Sequence, residues 1–305
     1  MKTYALLVPC YNAASYIISF LDTIDKQSKK YDEILFYDDF SSDETVSILE
    51  SASYKVIKGN INSGPSHARN MLIQACNCDF IHFHDPDDFM HNDYLLKVSS
   101  KAESGDLDVI LCNVDWLNYK DYSIIISWKY SNYELNQDKI KYTLTHPIGG
   151  INGLYSKSIL TEVKGFDENL MAWEDSDLHI RLAVANARFL IIEETLCYSI
   201  RRKESLSSNQ GLAWTYRLRA LRSYKKFTFT PEQRTLLGKE AEKVAVQLVP
   251  YNHEIEEARN ALLFSSECGN TVPSSRKAIW IFLKIIFPLR LIIRIRLLQL
   301  RFLLK

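Results

Sequence analysis

Short apolar runs alternate with amphipathic segments along the first 115 residues. The runs at 4–8, 33–37, 54–57, 80–83 and 108–112 are brief and rich in Ile, Leu, Val and Phe, as buried strands are. Apolar positions at helical spacing lie between them, at 13–27, after Ser42, at 65–76 and at 93–104. This alternation predicts an α/β fold with a mostly parallel sheet flanked by helices.

The second half is less regular. It predicts an edge strand at 122–128, a Gly-rich loop at 146–153 and a strand at 188–198. Helices are predicted at 134–144, 156–164, 173–187, 212–227 and 231–267. We therefore expect an α/β domain over 1–210, a helical extension over 211–275 and a separate tail over 276–305.

Composition narrows the class of protein. Of the 305 residues, 47% are hydrophobic and 24% charged, which excludes a disordered chain. The six cysteines are scattered, and a lone Cys76-x-Cys78 pair is weak support for zinc, so free thiols in a reducing compartment are expected. The apolar run after Met1 is too short for a signal sequence, which favours a cytoplasmic protein.

The formal net charge of zero conceals a basic tail. Residues 276–305 carry eight Lys or Arg and no acid, whereas residues 1–275 carry 29 basic and 37 acidic residues. Arg290, Arg294, Arg301 and Lys305 fall on one helical stripe opposite an apolar face. This pattern predicts a helix lying on an anionic membrane surface at the inner face of the membrane, or else a terminal helix packed on the body or on another subunit. Nucleic-acid binding is not expected, because the body is acidic.

Polar clusters follow three of the predicted strands. They begin at Pro9, Asp38 and Asp85, and the last reads Asp85-Pro86-Asp87-Asp88. Ligands of open α/β sheets bind beyond the carboxyl ends of the strands, and several carboxylates on one edge repel each other unless a cation is present. Hard divalent ions prefer such oxygens. The cluster predicts a Mg²⁺ or Mn²⁺ site, although an acidic turn that caps the next helix would look similar.

Six ordered motifs reinforce the prediction of a site. They are P-C-Y-N from Pro9, D-D-F-S-S-D-E-T from Asp38, N-x-G-P-S-H-A-R-N from Asn62, D-P-D-D from Asp85, G-F-D-E from Gly165 and W-E-D-S-D-L from Trp173. In this order they resemble the inverting family 2 glycosyltransferases of the GT-A fold, of the bacterial surface-polysaccharide type. The resemblance covers roughly residues 3–207. It departs at Phe40, where the family has glycine; a turn that needs a positive φ would strain a phenylalanine.

The resemblance implies a role for each matching residue. Pro9, Tyr11 and Asn12 would line the base and ribose of the nucleotide. Asp38 and Asp39 would bind a uracil-type base, and Arg69 would lie near the nucleotide. Asp87 would reach the ribose and the metal, Asp88 would bind the metal directly, and Asp85 would orient the cluster. Asp175 would be the general base, with Glu174 as the second candidate.

Chemistry supports the assignment of the base independently. An acceptor hydroxyl attacks poorly until a carboxylate takes its proton, and Trp173 beside Glu174 and Asp175 could raise a carboxylate pKa. An ordinary acidic first turn of a helix is the alternative.

Two further segments could belong to the site. His146, Gly149 and Gly150 could shape a donor or acceptor pocket, or could simply form a flexible connection. Arg201 and Arg202 could clamp a diphosphate, or could lie in a solvated turn.

These observations predict an inverting, metal-dependent glycosyltransferase. It would move a sugar from a nucleotide-diphosphate donor, with UDP favoured, to a hydroxyl of a lipid-linked glycan or polysaccharide precursor. A non-catalytic scaffold that binds sugar nucleotides or glycans is the alternative. A sugar-1-phosphate nucleotidylyltransferase fits less well, because Pro9 and its neighbours stand where that class needs a Gly-rich loop.

Overall fold

The computed structural model describes residues 1–201, 210–251, 255–270 and 289–303. The chain divides into two compact units at residues 205 and 206, close to the expected boundary at 210. The first unit carries the sheet, and the second is helical over its described residues. The expected α/β fold of the first unit is therefore confirmed.

The described part of the first unit builds one nine-stranded sheet. Its strands are β1 (Tyr4–Cys10), β2 (Glu33–Asp38), β3 (Lys55–Lys58), β4 (Phe80–Phe83), β5 (Phe89–Met90), β6 (Val109–Asn118), β7 (Ile124–Trp128), β8 (Gly153–Ser156) and β9 (Phe189–Arg201). The order is β3-β2-β1-β4-β8-β6-β9-β5, with β7 paired to β6 outside this path.

The sheet is more mixed than expected. Strands β3, β2, β1 and β4 run parallel, but β8 is antiparallel to both β4 and β6. Residues 153–156 were expected in a loop and the start of a helix. They form a strand because the four positions are all buried between two neighbours, a context that local spacing does not reveal.

Parallel pairing brings the polar clusters together. Cys10 pairs with Asp38 at the ends of β1 and β2, and Leu7 pairs with Phe83 near the end of β4. Six of the seven residues of β1 are buried, as expected of a strand covered on both faces. The three predicted clusters therefore leave the sheet at one edge.

Eight helices belong to the described part of the first unit. They are α1 (Ala14–Asp25), α2 (Thr45–Ser51), α3 (Pro65–Ala75), α4 (Tyr94–Ser104), α5 (Asn132–Gln137), α6 (Lys139–Thr145), α7 (Lys157–Glu162) and α8 (Glu174–Val184). The predicted helix at 134–144 is in fact two helices. Asp138 takes an extended conformation between them and caps α6 by accepting from the Lys141 N–H.

The described part of the second unit contains α9 (Gln210–Ser223), α10 (Pro231–Leu248), α11 (Ile255–Glu267) and α12 (Leu289–Leu303). The single helix predicted over 231–267 is wrong. Helix α10 begins with a capping box at Thr230 and ends before Pro250, whose ring cannot continue a helix.

The tail helix α12 has one side packed within its own unit. Ile293 and Arg296 are buried, and Arg296 Nη2 lies 3.2 Å from Glu242 Oε1 of α10. Arg294, a member of the predicted cationic stripe, is exposed. Membrane association of 276–305 remains a prediction, and residues 276–288 lie outside the described part. No helix among the described residues is both long enough and apolar enough to cross a bilayer.

Candidate functional site

The loop after β1 is fastened to the loop after β2. Asn12 adopts a left-handed conformation with φ 47°, and its Oδ1 accepts from the Ser42 N–H at 2.9 Å. The Asn12 N–H donates to Ser41 Oγ, also at 2.9 Å. Pro9, expected to stop the strand, lies inside β1, which continues to Cys10, and Tyr11 is 54% exposed just beyond it. The first motif is therefore held rigidly, with an aromatic ring available to a ligand.

Asp38 and Asp39 are neighbours with different surroundings. Asp39 accepts from the Ser63 N–H at 2.9 Å and the Gly64 N–H at 2.7 Å, so it fixes the loop that precedes α3. Asp38 accepts from the Ser41 N–H through Oδ2, whereas its buried Oδ1 has no hydrogen-bond partner among the described residues. Of the two predicted base-binding carboxylates, Asp38 thus has the free acceptor.

Phe40 occupies the conformation that the family pattern reserves for glycine. Its φ is 67°, and its side chain is 57% exposed. A non-glycine residue in this region costs about 1–2 kcal/mol. Because the Phe40 ring is largely exposed, burial of the ring does little to offset that strain.

Arg69 joins two predicted motifs through ion pairs. Its guanidinium is 4% exposed, with Nη2 3.0 Å from Asp85 Oδ1 and Nη1 3.0 Å from Glu174 Oε1. Asp175 Oδ1 lies 3.7 Å from Nη1. Burial alone would lower the pKa of Arg69, but the surrounding carboxylates outweigh it and raise the pKa. Arg69, predicted near the nucleotide, therefore links the end of β4 to the start of α8.

Asp175 has the properties of a general base. Burial and, to a smaller extent, the charge of Glu174 raise its pKa to about 7, against the opposing effect of Arg69. Its Oδ1 is buried without a hydrogen-bond partner among the described residues. One turn further along α8, His179 Nδ1 lies 2.7 Å from the Asp175 carbonyl oxygen and His179 Nε2 lies 2.9 Å from the Tyr155 hydroxyl. A free carboxylate oxygen that titrates near neutrality suits proton abstraction.

Gly150 lies directly against this carboxylate. A Cβ added at Gly150 would stand 2.6 Å from Asp175 Oδ1, whereas one added at Gly149 would meet the Trp128 ring at 3.8 Å, an ordinary contact. The predicted pocket loop thus reaches the predicted base, and only glycine fits at position 150.

Gly150→Ala is expected to lower turnover about a hundredfold, because the methyl group must displace the Asp175 carboxylate by a fraction of an ångström or more. Steady-state kinetics measures the turnover, and the affinity for UDP should be unchanged. Gly149→Ala is the matched control and should retain most activity. Equal activity of the two variants would contradict the placement of Asp175.

The three carboxylates of the D-P-D-D turn differ in exposure. Asp85 and Asp87 are half-buried, whereas Asp88 is 6% exposed. The Asp88 carboxylate accepts from the Ile200 N–H at 2.7 Å and from the Ser199 hydroxyl at 3.1 Å. Asp88 thus anchors β9, and direct binding of the metal by Asp88 stays a prediction, since a carboxylate that accepts two hydrogen bonds keeps further lone pairs.

The remaining carboxylates suit a divalent ion. Asp85 and Asp87 carry hard oxygen donors and are the two less buried carboxylates of the turn. Within the described ranges, the three carboxylates of the turn do not converge into a three-ligand cluster. Such a site resembles those that hold Mg²⁺ or Mn²⁺ by one or two carboxylates together with substrate phosphates.

Three other predicted site residues lie within the described part of the chain. His146 is exposed at the end of α6, stacked on the Tyr142 ring at 4.3 Å. Trp173 precedes α8 in a left-handed conformation with φ 66°. Arg201 is exposed at the end of β9, and Arg202 lies outside the described residues. The structure gives no contact between His146 or Arg201 and the carboxylates above.

A thiol cluster lies near the start of β4. Ligand atoms of Glu33, Cys76 and Cys78 lie within 4.8 Å of one another. Burial raises the pKa of Cys76 to about 12, so this thiol stays protonated. The expectation of free cysteines agrees with the structure, which describes all six as unpaired.

Sequence reasoning missed several residues that position the site. Asn70 binds the backbone of Phe166 in both directions, at 2.8 and 3.0 Å, and so ties the G-F-D-E motif to α3. His179 and Trp128 were also missed. Only His179 had a usable signal, since its spacing of four from Asp175 places both on one helix face.

Comparison with known proteins agrees with this geometry. The profile of the family described as Glycosyl transferase family 2 matches residues 5–163, just over half of the chain. The chain is 30% identical over 125 residues to poly(ribitol-phosphate) beta-N-acetylglucosaminyltransferase TarS of Staphylococcus aureus. That match covers 39% of this chain and only 22% of the relative, so the chain spans a small part of the length of that relative.

Two solved structures show the same fold. TarS residues 1–349 in complex with UDP-GlcNAc superimposes with a TM-score of 0.65 at 18% identity, covering 87% of this chain and 88% of that one. The mannosyltransferase PcManGT of Pyrobaculum calidifontis, in complex with GDP-Man and Mn²⁺, gives a TM-score of 0.62 at 14% identity, covering 93% and 79%. The likeness establishes the GT-A fold of this chain.

Proposed function

This chain belongs to glycosyl transferase family 2, and we propose that it transfers a sugar from a nucleotide-diphosphate donor to a hydroxyl of a glycan acceptor, with inversion. One observation carries the proposal: Asp175, a half-buried carboxylate with a pKa of about 7, lies 3.7 Å from Arg69, which also pairs with Asp85 of the D-P-D-D turn. This places a proton acceptor close to the residues that would hold a nucleotide diphosphate.

The reaction follows from these positions. Asp175 takes the proton of the acceptor hydroxyl while the hydroxyl oxygen forms a bond to the anomeric carbon. The bond from that carbon to the diphosphate breaks on the opposite face, and the nucleoside diphosphate leaves. Mg²⁺ or Mn²⁺, held by Asp87 and Asp85, would neutralise charge on the leaving diphosphate. Arg69 pairs with Asp85 and Glu174 and so holds the donor site and the base in a fixed relative position.

Two features support the choice of donor and stereochemistry. Asp38 Oδ1 is a free buried acceptor suited to a base N–H, and a similar structure binds UDP-GlcNAc. The relative TarS is named for a beta product, which means inversion when the donor sugar is linked in α. A UDP-sugar is therefore the proposed donor.

We place the enzyme at the inner face of the membrane, acting on a lipid-linked glycan or polysaccharide precursor. The support is the basic tail, in which Arg294, Leu291 and Leu298 are exposed on α12. Replacing Arg290, Arg294 and Arg301 with Gln should weaken binding to vesicles that contain anionic lipid. Unchanged vesicle binding would remove this part of the proposal.

Calorimetric titration with UDP and with GDP, each with and without Mn²⁺, tests the function. Metal-dependent binding of UDP, followed by release of UDP from a UDP-sugar in the presence of an acceptor, is the expected result. A folded protein that binds neither nucleotide would instead favour a non-catalytic scaffold.

The rate should depend on pH through Asp175. Because the base acts only when deprotonated, kcat/KM for the acceptor should fall tenfold per unit below pH 7 and level off above it. In Glu174→Gln the repulsion is lost, so the acidic limb should move to lower pH. An acidic limb below pH 5 in the unaltered protein would contradict this assignment.

A further inference from the structure

Trp128 lies beside the loop that contacts the proposed general base. It ends β7, and its ring lies against Gly149, as the 3.8 Å distance to an added Cβ shows. Gly150, the next residue, lies against the Asp175 carboxylate of α8. The indole ring and the carboxylate that would receive the acceptor proton therefore lie against two consecutive glycines.

The Trp128 ring is half-buried and held in place. The Trp116 ring packs against it edge to face, with centroids 5.2 Å apart and planes at 60°. Trp116 Nε1 is buried and has no hydrogen-bond partner among the described residues. A fixed aromatic ring that keeps part of its surface exposed offers a rigid platform rather than a mobile side chain.

The same strand face continues away from the base. Val114 pairs with Trp128 and Trp116 pairs with Ile126 across β6 and β7, so Trp128 and Ile126 lie on one face. Ile126 is 42% exposed. An apolar surface thus extends along this face from the Trp128 ring to the Ile126 side chain.

We propose that Trp128 forms an acceptor subsite, in which the apolar C–H face of a pyranose ring stacks on the indole and presents its hydroxyl to Asp175. This inference rests on the proposed function, since it names the substrate class of the same site. A pyranose fits because it joins a flat apolar face to peripheral hydroxyls, and binding sites combine aromatic walls with a few placed polar groups. Trp128 is here a binding residue for the acceptor.

The test titrates the protein with methyl β-D-glucopyranoside and with methyl 2-acetamido-2-deoxy-β-D-glucopyranoside, with and without UDP and Mn²⁺. Indole N–H signals in ¹H–¹⁵N spectra report binding, and Trp128→Phe assigns the Trp128 signal. We expect that signal to shift with at least one pyranoside. Trp128→Ala should raise the pyranoside Kd at least roughly tenfold and leave the Kd for UDP unchanged.

Tyr133→Ala is the matched control, because Tyr133 is an aromatic residue that is 73% exposed on α5. It should change neither Kd. The proposal is overturned if neither pyranoside shifts the Trp128 signal, or if Trp128→Ala leaves the pyranoside Kd unchanged. It is also overturned if that variant weakens UDP and pyranoside equally, which would indicate a structural role. Failure of the unaltered protein to bind UDP would count against the proposed function and not against the subsite.

Discussion

Asp175→Asn is expected to lower turnover by roughly a thousandfold while leaving the Kd for UDP within a factor of two or so. The amide matches the carboxylate in size but cannot take the proton of the acceptor hydroxyl. Arg69 keeps its ion pairs with Asp85 and Glu174, so the fold should survive the change. Steady-state release of UDP from a UDP-sugar, together with calorimetric binding of UDP, separates the loss of chemistry from a loss of binding.

Glu174→Gln distinguishes the two candidate bases. Glu174 is 12% exposed and bound to Arg69 at 3.0 Å, so it is less free than Asp175 to accept a proton. This variant should keep turnover within about tenfold of the unaltered enzyme, with its acidic limb displaced. If Glu174→Gln were inactive and Asp175→Asn active, the assignment would be reversed.

Asp87→Ala is expected to abolish the dependence of UDP binding on Mn²⁺. Asp87 is a half-buried carboxylate of the turn and would be the main protein ligand of the ion. Calorimetric titration with and without Mn²⁺ measures the effect, and the Kd in the presence of metal should rise about a hundredfold.

Asp88→Ala provides the contrast. Since Asp88 accepts from Ile200 and Ser199, its loss should leave buried donors unpaired and lower the free energy of unfolding by about 2 kcal/mol. Residual folded protein should still bind UDP in a metal-dependent way. Loss of metal dependence in Asp88→Ala but not in Asp87→Ala would restore Asp88 as the ligand.

The local sequence pattern was sufficient to predict the strands that frame the site and the polar clusters that follow them. Parallel strands expose their carboxyl ends at one edge, so the apolar runs and the polar clusters after them predicted where the chain would place its carboxylates. The family pattern has glycine at position 40, and the positive φ of Phe40 is the case in which strain was expected there. Residue type and chain order carry this information directly.

Direction of side chains was decided by tertiary structure. Asp87 and Asp88 are adjacent and chemically identical, yet only packing against β9 turns Asp88 inward and makes it an anchor. Likewise, Arg69 pairs with Asp85 and also with Glu174, which lies 105 positions away, a separation that no local spacing encodes.

The sequence by itself determined the α/β class and the edge of the sheet at which the polar clusters meet, because periodicity and strand-end polarity are local properties. Only the tertiary structure decided that β8 enters the sheet antiparallel, that Gly150 touches Asp175 and that Trp128 lies beside them. These depend on contacts between segments remote in sequence, where burial and close packing, rather than spacing along the chain, select the partner.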